Sequence, residues 1–193
     1  MPGVTWGDRV GIRPLRPSDA SALRRFVSDP DVANLLFEEL GGEPPSALLL
    51  GTMIFFQMLS NSPDFGIVER NGRLIGSVRL WRVSDRNRSA MLTVFIGEKR
   101  AWNRGYGQDA LRLALRHAFT NMGLHRVELH VFAFNERAIR CYERVGFVRE
   151  GARREALFRE NRFHDILVMG VTRQEFLARE AERSTPAVVS EQS

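Results

Sequence analysis

From Arg9 to Arg16 the chain reads RVGIRPLR, an alternation of apolar and polar positions that predicts a strand. Pro17 and Ser18 then open a short helical pattern, SDASALRRFVSD, with Ser18 placed as its N-cap. A breaker, GGEPP at 41–45, precedes Ser46 and the apolar helical run ALLLGTMIFFQML, which is too short and too interrupted to cross a bilayer. From Phe65 the period changes to two. Asn71-Gly72 stands between FGIVER and RLIGSVRLWRV and predicts a hairpin with a type I′ turn, and SAMLTVFIG (Ser89–Gly97) supplies a third antiparallel strand. A long helical pattern follows Gly107, then an alternating strand from His125 to Phe134. In NERAIRCYERVGF, Asn135 is placed to cap a helix on which Ala138, Ile139, Tyr142 and Val145 recur at helical spacing, and Gly146 sits where a left-handed C-terminal turn is made. FVREGARREALFRENRFHDILVMGV predicts two strands around a turn, and the polar residues from about Arg179 predict a frayed tail. Strands and helices mixed in this order predict an α/β chain with no internal repeat.

A length of 193 residues, 44% hydrophobic, accommodates one domain with a sizeable core and leaves no room for a second of full size. The lone cysteine, Cys141, has no internal disulfide partner, and neither a signal peptide nor a membrane-length apolar run is evident, so the expected compartment is the cytoplasm, with no membrane partner. The net charge of +5 raises nucleic acid as a partner, because cations displace counterions from phosphates. The charge is scattered, however. Arg24, Arg25, Arg112, Arg116, Arg153 and Arg154 are interleaved with acids instead of forming a basic block, which favours a solvated arginine-rich surface. His117, His125 and His130 show no metal-ligand spacing with cysteine, so no metal is expected.

The chemistry begins at AWNRGYGQDALRLALRHAF. Gly105 and Gly107 allow a close backbone approach just before a helix whose first N–H groups lack intrahelical partners, and Arg104 adds charge at the rim; together these make an anion site. Taken alone, Gly-Tyr-Gly reads first as a tight turn, and its surroundings change that reading.

The succession of strand Leu92–Ile96, the turn Asn103-Arg104-Gly105-Tyr106-Gly107, an amphipathic helix, LHRVELHV and NERAIRCYERVGF resembles the acyl-CoA-binding core of the Gcn5-related N-acetyltransferases (GNAT). More narrowly it resembles their ribosomal-protein-alanine (RimJ/RimL-like) branch. The resemblance implies a single domain with a mixed, mainly antiparallel twisted sheet flanked by helices and a splayed cleft for acetyl-CoA. It would run over 9–175, between an N-terminal extension (1–8) and a flexible polar tail (176–193). In such proteins the strand before the glycine turn pairs with the pantetheine arm through its main chain, here Val94, Phe95 and Ile96, with the N–H of Phe95 or Ile96 available to the developing oxyanion. The diphosphate would lie on the backbone of Trp102, Asn103, Arg104, Gly105, Tyr106 and Gly107. Trp102 departs from the pattern, standing where the family usually has Arg or Gln, so that Arg100 or Arg104 would supply the missing donor. Asn135 would orient the cofactor arm or a water, and Tyr142 would be the acid that protonates the leaving thiolate.

No carboxylate occupies MLTVFI, where some relatives carry a base. Glu38, Glu39, His164 and Asp165 are the alternatives, together with a water chain. A covalent role for Cys141 is disfavoured because it has no evident His and Asp partners. The implied acceptor is a primary amine: a protein N-terminus by branch resemblance, or a polyamine, amino-acid derivative or aminoglycoside. A non-catalytic acyl-CoA sensor is the reading from a different class. The apolar helix after Ser46 is a core element or a homodimer interface.

Overall fold

A computed structural model of the protein describes residues 3–36, 46–58 and 63–184. In chain order the elements are β1 (Thr5–Trp6), β2 (Gly11–Pro14), α1 (Ala20–Val27), α2 (Pro30–Leu36), α3 (Ala47–Met58), β3 (Asp64–Val68), β4 (Leu74–Ser84), β5 (Ser89–Ile96), α4 (Tyr106–Arg116), β6 (Arg126–Phe132), α5 (Glu136–Val145), β7 (Val148–Arg159), β8 (Arg162–Thr172) and α6 (Arg173–Ser184). The strands form one sheet in the order β1-β2-β3-β4-β5-β6-β8-β7. Every neighbouring pair is antiparallel except β5 and β6, which are joined through α4 as a parallel crossover requires. This is the mixed, mainly antiparallel sheet with flanking helices that the sequence predicts.

The helix α4 lays Ala110, Leu111, Ala114 and Leu115 against the inner faces of β4, β5 and β6, where Leu80, Leu92, Val127 and Leu129 are also buried. On the opposite face, α1 and α3 enclose a smaller cluster of Ala20, Leu23, Phe26, Ile54 and Val68. Buried apolar side chains of this kind each contribute about 1.5–3 kcal/mol. The carboxylate of buried Asp109, on α4, accepts N–H bonds from Asp8 (3.2 Å), Arg9 (2.7 Å) and Val10 (2.9 Å), which straps the N-terminal segment across the start of α4.

Local chemistry departs from the sequence reading in several places. Ser18 is not a cap. A short 3-10 turn, Pro17–Asp19, precedes α1, and the Asp19 carboxylate accepts the Arg16 N–H at 2.8 Å while Arg13 forks onto it at 2.7 and 2.8 Å. The 71–72 hairpin forms, but not through a type I′ turn: of the two residues only Gly72 has positive φ (+85°). Gly72 N–H donates to the Glu69 carbonyl at 2.8 Å, and the Asn71 side chain accepts the Arg73 N–H at 2.9 Å, holding Asn71 out of the left-handed region. Residues of the expected N-terminal extension form β1. Where a frayed tail was expected, α6 continues to Ser184, with Phe176 buried against Phe119 and Glu180 ion-paired to Arg112 and Arg116.

Ser46 opens α3 as expected, its hydroxyl accepting the Leu49 N–H. One side of that helix packs on α1, while Leu48, Leu49 and Met53 are exposed. The GGEPP breaker, Glu38 and Glu39 lie outside the described residues. Among the described residues no helix is long and apolar enough to cross a membrane.

Candidate active site

The parallel ladder between β5 and β6 is three pairs long, Ser89↔Arg126, Ala90↔Val127 and Met91↔Glu128. Beyond Met91 the strands part while β5 stays paired to β4 as far as Ile96. Gly97 N–H donates to the Ile75 carbonyl at 2.8 Å, which sets the parity of that antiparallel ladder. Hydrogen-bonded pairs then fall at Phe95–Ser77 and Thr93–Arg79, so the main-chain groups of Val94 and Ile96 point into the gap left by β6. Of the three residues expected to offer their main chain there, Phe95 is therefore corrected: its N–H and C=O belong to β4. The Ile96 carbonyl is also engaged, because the Trp102 indole donates to it at 2.7 Å.

That bond accounts for the tryptophan at a position where Arg or Gln was expected. Trp102 fastens the glycine turn to the end of β5, and the Arg137 guanidinium stacks on its ring at 3.9 Å, linking the turn to the start of α5. Of the two arginines considered as substitute donors, Arg100 is held by Glu69 at 2.8 Å. Arg104 is the one left available: its side chain has no partner among the described residues, and its carbonyl accepts a bond from Arg9 at 3.1 Å.

Gly105 caps α4 with φ +75°, a left-handed conformation that favours glycine. The first α4 bond runs from Asp109 N–H to the Gly105 carbonyl, leaving the amides of Tyr106, Gly107 and Gln108 at the positive end of the helix. Gly107 sits in that first turn with Cys141 Sγ and Ile96 as its nearest neighbours.

On α5, Asn135 is the N-cap, its side-chain oxygen accepting the Ala138 N–H at 3.2 Å, and the residue lines the adjoining cavity. Tyr142 is buried edge-on to Phe147. Burial, and to a lesser extent the neighbouring Cys141 thiol, raises the Tyr142 phenol well above its ordinary value, so it stays protonated, and its hydroxyl has no partner among the described residues. Burial likewise pushes the Cys141 thiol up to about 11, the reverse of what a nucleophile needs.

These groups line one cavity of about 700 Å³. On the inner side it is bounded by the turn at Gly105–Gln108 and by Cys141 and Tyr142. Leu92, Val94 and Ile96 pack with α4, so alternation puts Met91 and Thr93 on the other face, where they line the cavity with Trp81, His130 and Leu35 of α2. It thus passes through the gap between the strands. Open amides, five lining arginines and apolar walls fit an anionic thioester of the size of acetyl-CoA. Among the described residues no group of three or more His, Cys, Asp or Glu is gathered for a metal.

Two of the suggested bases do not reach this cavity. Asp165 accepts the Glu155 N–H at 2.8 Å, and His164 lies in an adjoining hollow, against Phe134 and Arg162. His130, set aside in the sequence as a non-ligand, is in the cavity wall with Glu128 3.5 Å from its Nε2. The signal was present in RVELHV, whose alternation puts Arg126, Glu128 and His130 on one face and Val127, Leu129 and Val131 on the other.

A family model described as an acetyltransferase (GNAT) domain matches residues 9–148. A spermidine N(1)-acetyltransferase of Vibrio cholerae is 31% identical over 115 residues, covering 60% of this chain and 66% of that one. A putative ribosomal N-acetyltransferase of Bacillus subtilis, YdaF, is 26% identical over 175 residues, covering 88% and 94%. In fold, the chain is similar to the crystal structure of spermidine N-acetyltransferase from Vibrio cholerae in complex with CoA and spermine, with a TM-score of 0.75 at 24% identity over 87% of this chain and 98% of that one.

Proposed function

This chain belongs to the GNAT acetyltransferase family, and from that premise we propose that it moves the acetyl group of acetyl-CoA onto a polyamine-like primary amine by direct attack in a ternary complex. It is an acyltransferase that uses acetyl-CoA, acting on amines. The observation that carries the reading is the parting of β5 from β6 beyond Met91 and Glu128, over a cavity that joins the glycine turn to Tyr142.

In this reading the amides of Tyr106, Gly107 and Gln108, with Arg104, hold the diphosphate, and Trp102 and Asn103 shape the turn. Val94 and Ile96 hold the pantetheine arm, and the Ile96 N–H takes the place first given to Phe95 beside the acetyl oxygen. Asn135 steadies the arm with its amide hydrogens. Tyr142, protonated in its buried site, donates its proton to the departing sulfur and is restored by the second proton of the attacking nitrogen. The catalytic unit, expected over 9–175, takes in β1 at its start and, with α6 packed on it, extends past 175. Its compartment is the cytoplasm, and the exposed Leu48, Leu49 and Met53 of α3 are the surface for self-association.

The polyamine reading is supported by the spermidine acetyltransferases among the relatives. A second reading, the α-amine of a protein N-terminus in the manner of the RimJ/RimL branch, is favoured by one feature: the described lining carries five arginines and no carboxylate to pair with a polycation. A mixture of spermidine, spermine and short Ser- and Ala-initiated peptides, incubated with acetyl-CoA and read by product mass, separates the two. Acetyl-spermidine as the dominant product is expected. A dominant acetyl-peptide would transfer the assignment to the second reading, and no acetylated amine at all would contradict both.

A further inference from the structure

We infer that His130 is the catalytic residue that takes the proton from the acceptor ammonium, with Glu128 as its positioning residue; the inference rests on the transfer reading above. The first ground is place. Met91↔Glu128 is the last pair before β5 and β6 diverge, and two residues further along each strand are Thr93 and His130, facing the gap from either side. Val127, Leu129 and Val131 point into the core with α4, so His130 stands on the opposite face, across the gap from the glycine turn and Tyr142. An amine entering between Thr93 and His130 meets the thioester from the side away from the coenzyme.

The second ground is chemical elimination among the described lining residues. The ionisable groups there are arginines, Cys141, Tyr106, Tyr142 and His130. Arginine stays protonated, and thiol and phenol already carry their protons, Cys141 and Tyr142 the more firmly for being buried. Histidine is the remaining side chain that accepts a proton near neutral pH.

The third ground is support. One Glu128 oxygen is 3.5 Å from His130 Nε2, and the other accepts from Arg126 at 3.0 Å, while Arg126 is itself forked onto Glu150. A carboxylate fixed in this way orients the imidazole and stabilises the cation it becomes. The other elements beside His130 present Val168 across the β8 pairing and Thr93 on β5, with Arg153 of β7 in the same cavity wall.

His130 removes one proton from R–NH₃⁺, and the freed lone pair forms the C–N bond to the acetyl carbon. The C–S bond breaks with its electron pair going to sulfur, which receives the Tyr142 proton. The second nitrogen proton restores Tyr142, and His130 releases its proton to solvent, giving an amide, a thiol and one H⁺.

The test uses the full chain with spermidine as an alkylamine acceptor. His130→Ala is expected to lower kcat/KM about 100-fold or more with acetyl-CoA affinity unchanged, and added imidazole is expected to restore part of the rate. Glu128→Gln is expected to lower kcat with little change in KM. His130→Asn, which keeps a polar side chain of similar reach, replaces the alanine variant if that one fails to bind acetyl-CoA. Parent-like kcat/KM in the His130 variants, or an imidazole-insensitive loss, overturns the inference, as does a rescuable loss moved to Glu38→Ala or Glu39→Ala. A parent enzyme that releases no thiol with any amine instead contradicts the transferase reading on which the inference rests.

Discussion

Three aspartates show how one residue type takes different roles according to the donors around it. Asp19, within reach of Arg13 and of the Arg16 N–H, is held below the ordinary carboxylate value although burial alone would raise it. Asp109 spends its carboxylate on three main-chain amides. Asp64, at the start of β3, has a buried Oδ1 with no partner, and burial pushes it up to about 6 from 3.8, against a smaller pull from Arg79. A carboxyl raised in the folded state contributes stability that is fully present below 3.8 and lost as the pH rises through about 6. Ionised Asp64 therefore costs about 3 kcal/mol at pH 8. Asp64→Asn is expected to melt at a higher temperature than the parent at pH 8, with the difference vanishing by about pH 3.5. Equal differences at both pH values in thermal denaturation would contradict this. At this scale the sequence was legible where a side chain bonds its own neighbourhood, as Asn135 does. It misled at Ser18, because the residue that secures the turn before α1 is chosen by Arg13, which reaches back from a different strand.

Among the elements, α5 was readable because both its ends are local: Asn135 caps the start and Gly146 (φ +119°) turns the chain at the end. The main-chain direction of Phe95 was not, since it depends on which residue of β4 meets Gly97, a matter of register with no sequence marker. The helix α6 was missed for a related reason. Its outside is polar, and the contacts that hold it, Phe176 on Phe119 and Glu180 between Arg112 and Arg116, are made to residues some sixty positions earlier. The strap of residues 8–10 on α4 gives this scale its prediction. Asp109→Ala leaves three main-chain donors without their acceptor, one of them on buried Val10, and is expected to cost about 2–4 kcal/mol. Because Arg9 Nε lies 3.4 Å from where a Gly105 Cβ would stand, loosening the strap should also weaken acetyl-CoA affinity. Urea unfolding and calorimetric titration check the two effects; an Asp109→Ala protein as stable as the parent would refute the strap's role.

For the whole molecule, the side of the cavity proposed to hold the coenzyme was open to reading because it is built from one continuous stretch, β5 through α5, whose order and spacing carry the resemblance to the family. The side proposed for the acceptor was not, because Leu35, Trp81, Thr93, His130 and Arg153 come from five elements and meet only once the sheet has formed. As proposed, the assembled molecule offers a passage with an anion cradle and a protonated phenol on one face and an entrance for an amine on the other. The measurement that tests this most directly is thiol release from acetyl-CoA with and without spermidine, for the parent and for Tyr142→Phe. Release that requires the amine, and that falls about 100-fold in the variant while acetyl-CoA still binds, is the predicted result. Release independent of the amine, or a Tyr142→Phe enzyme as fast as the parent, would contradict it.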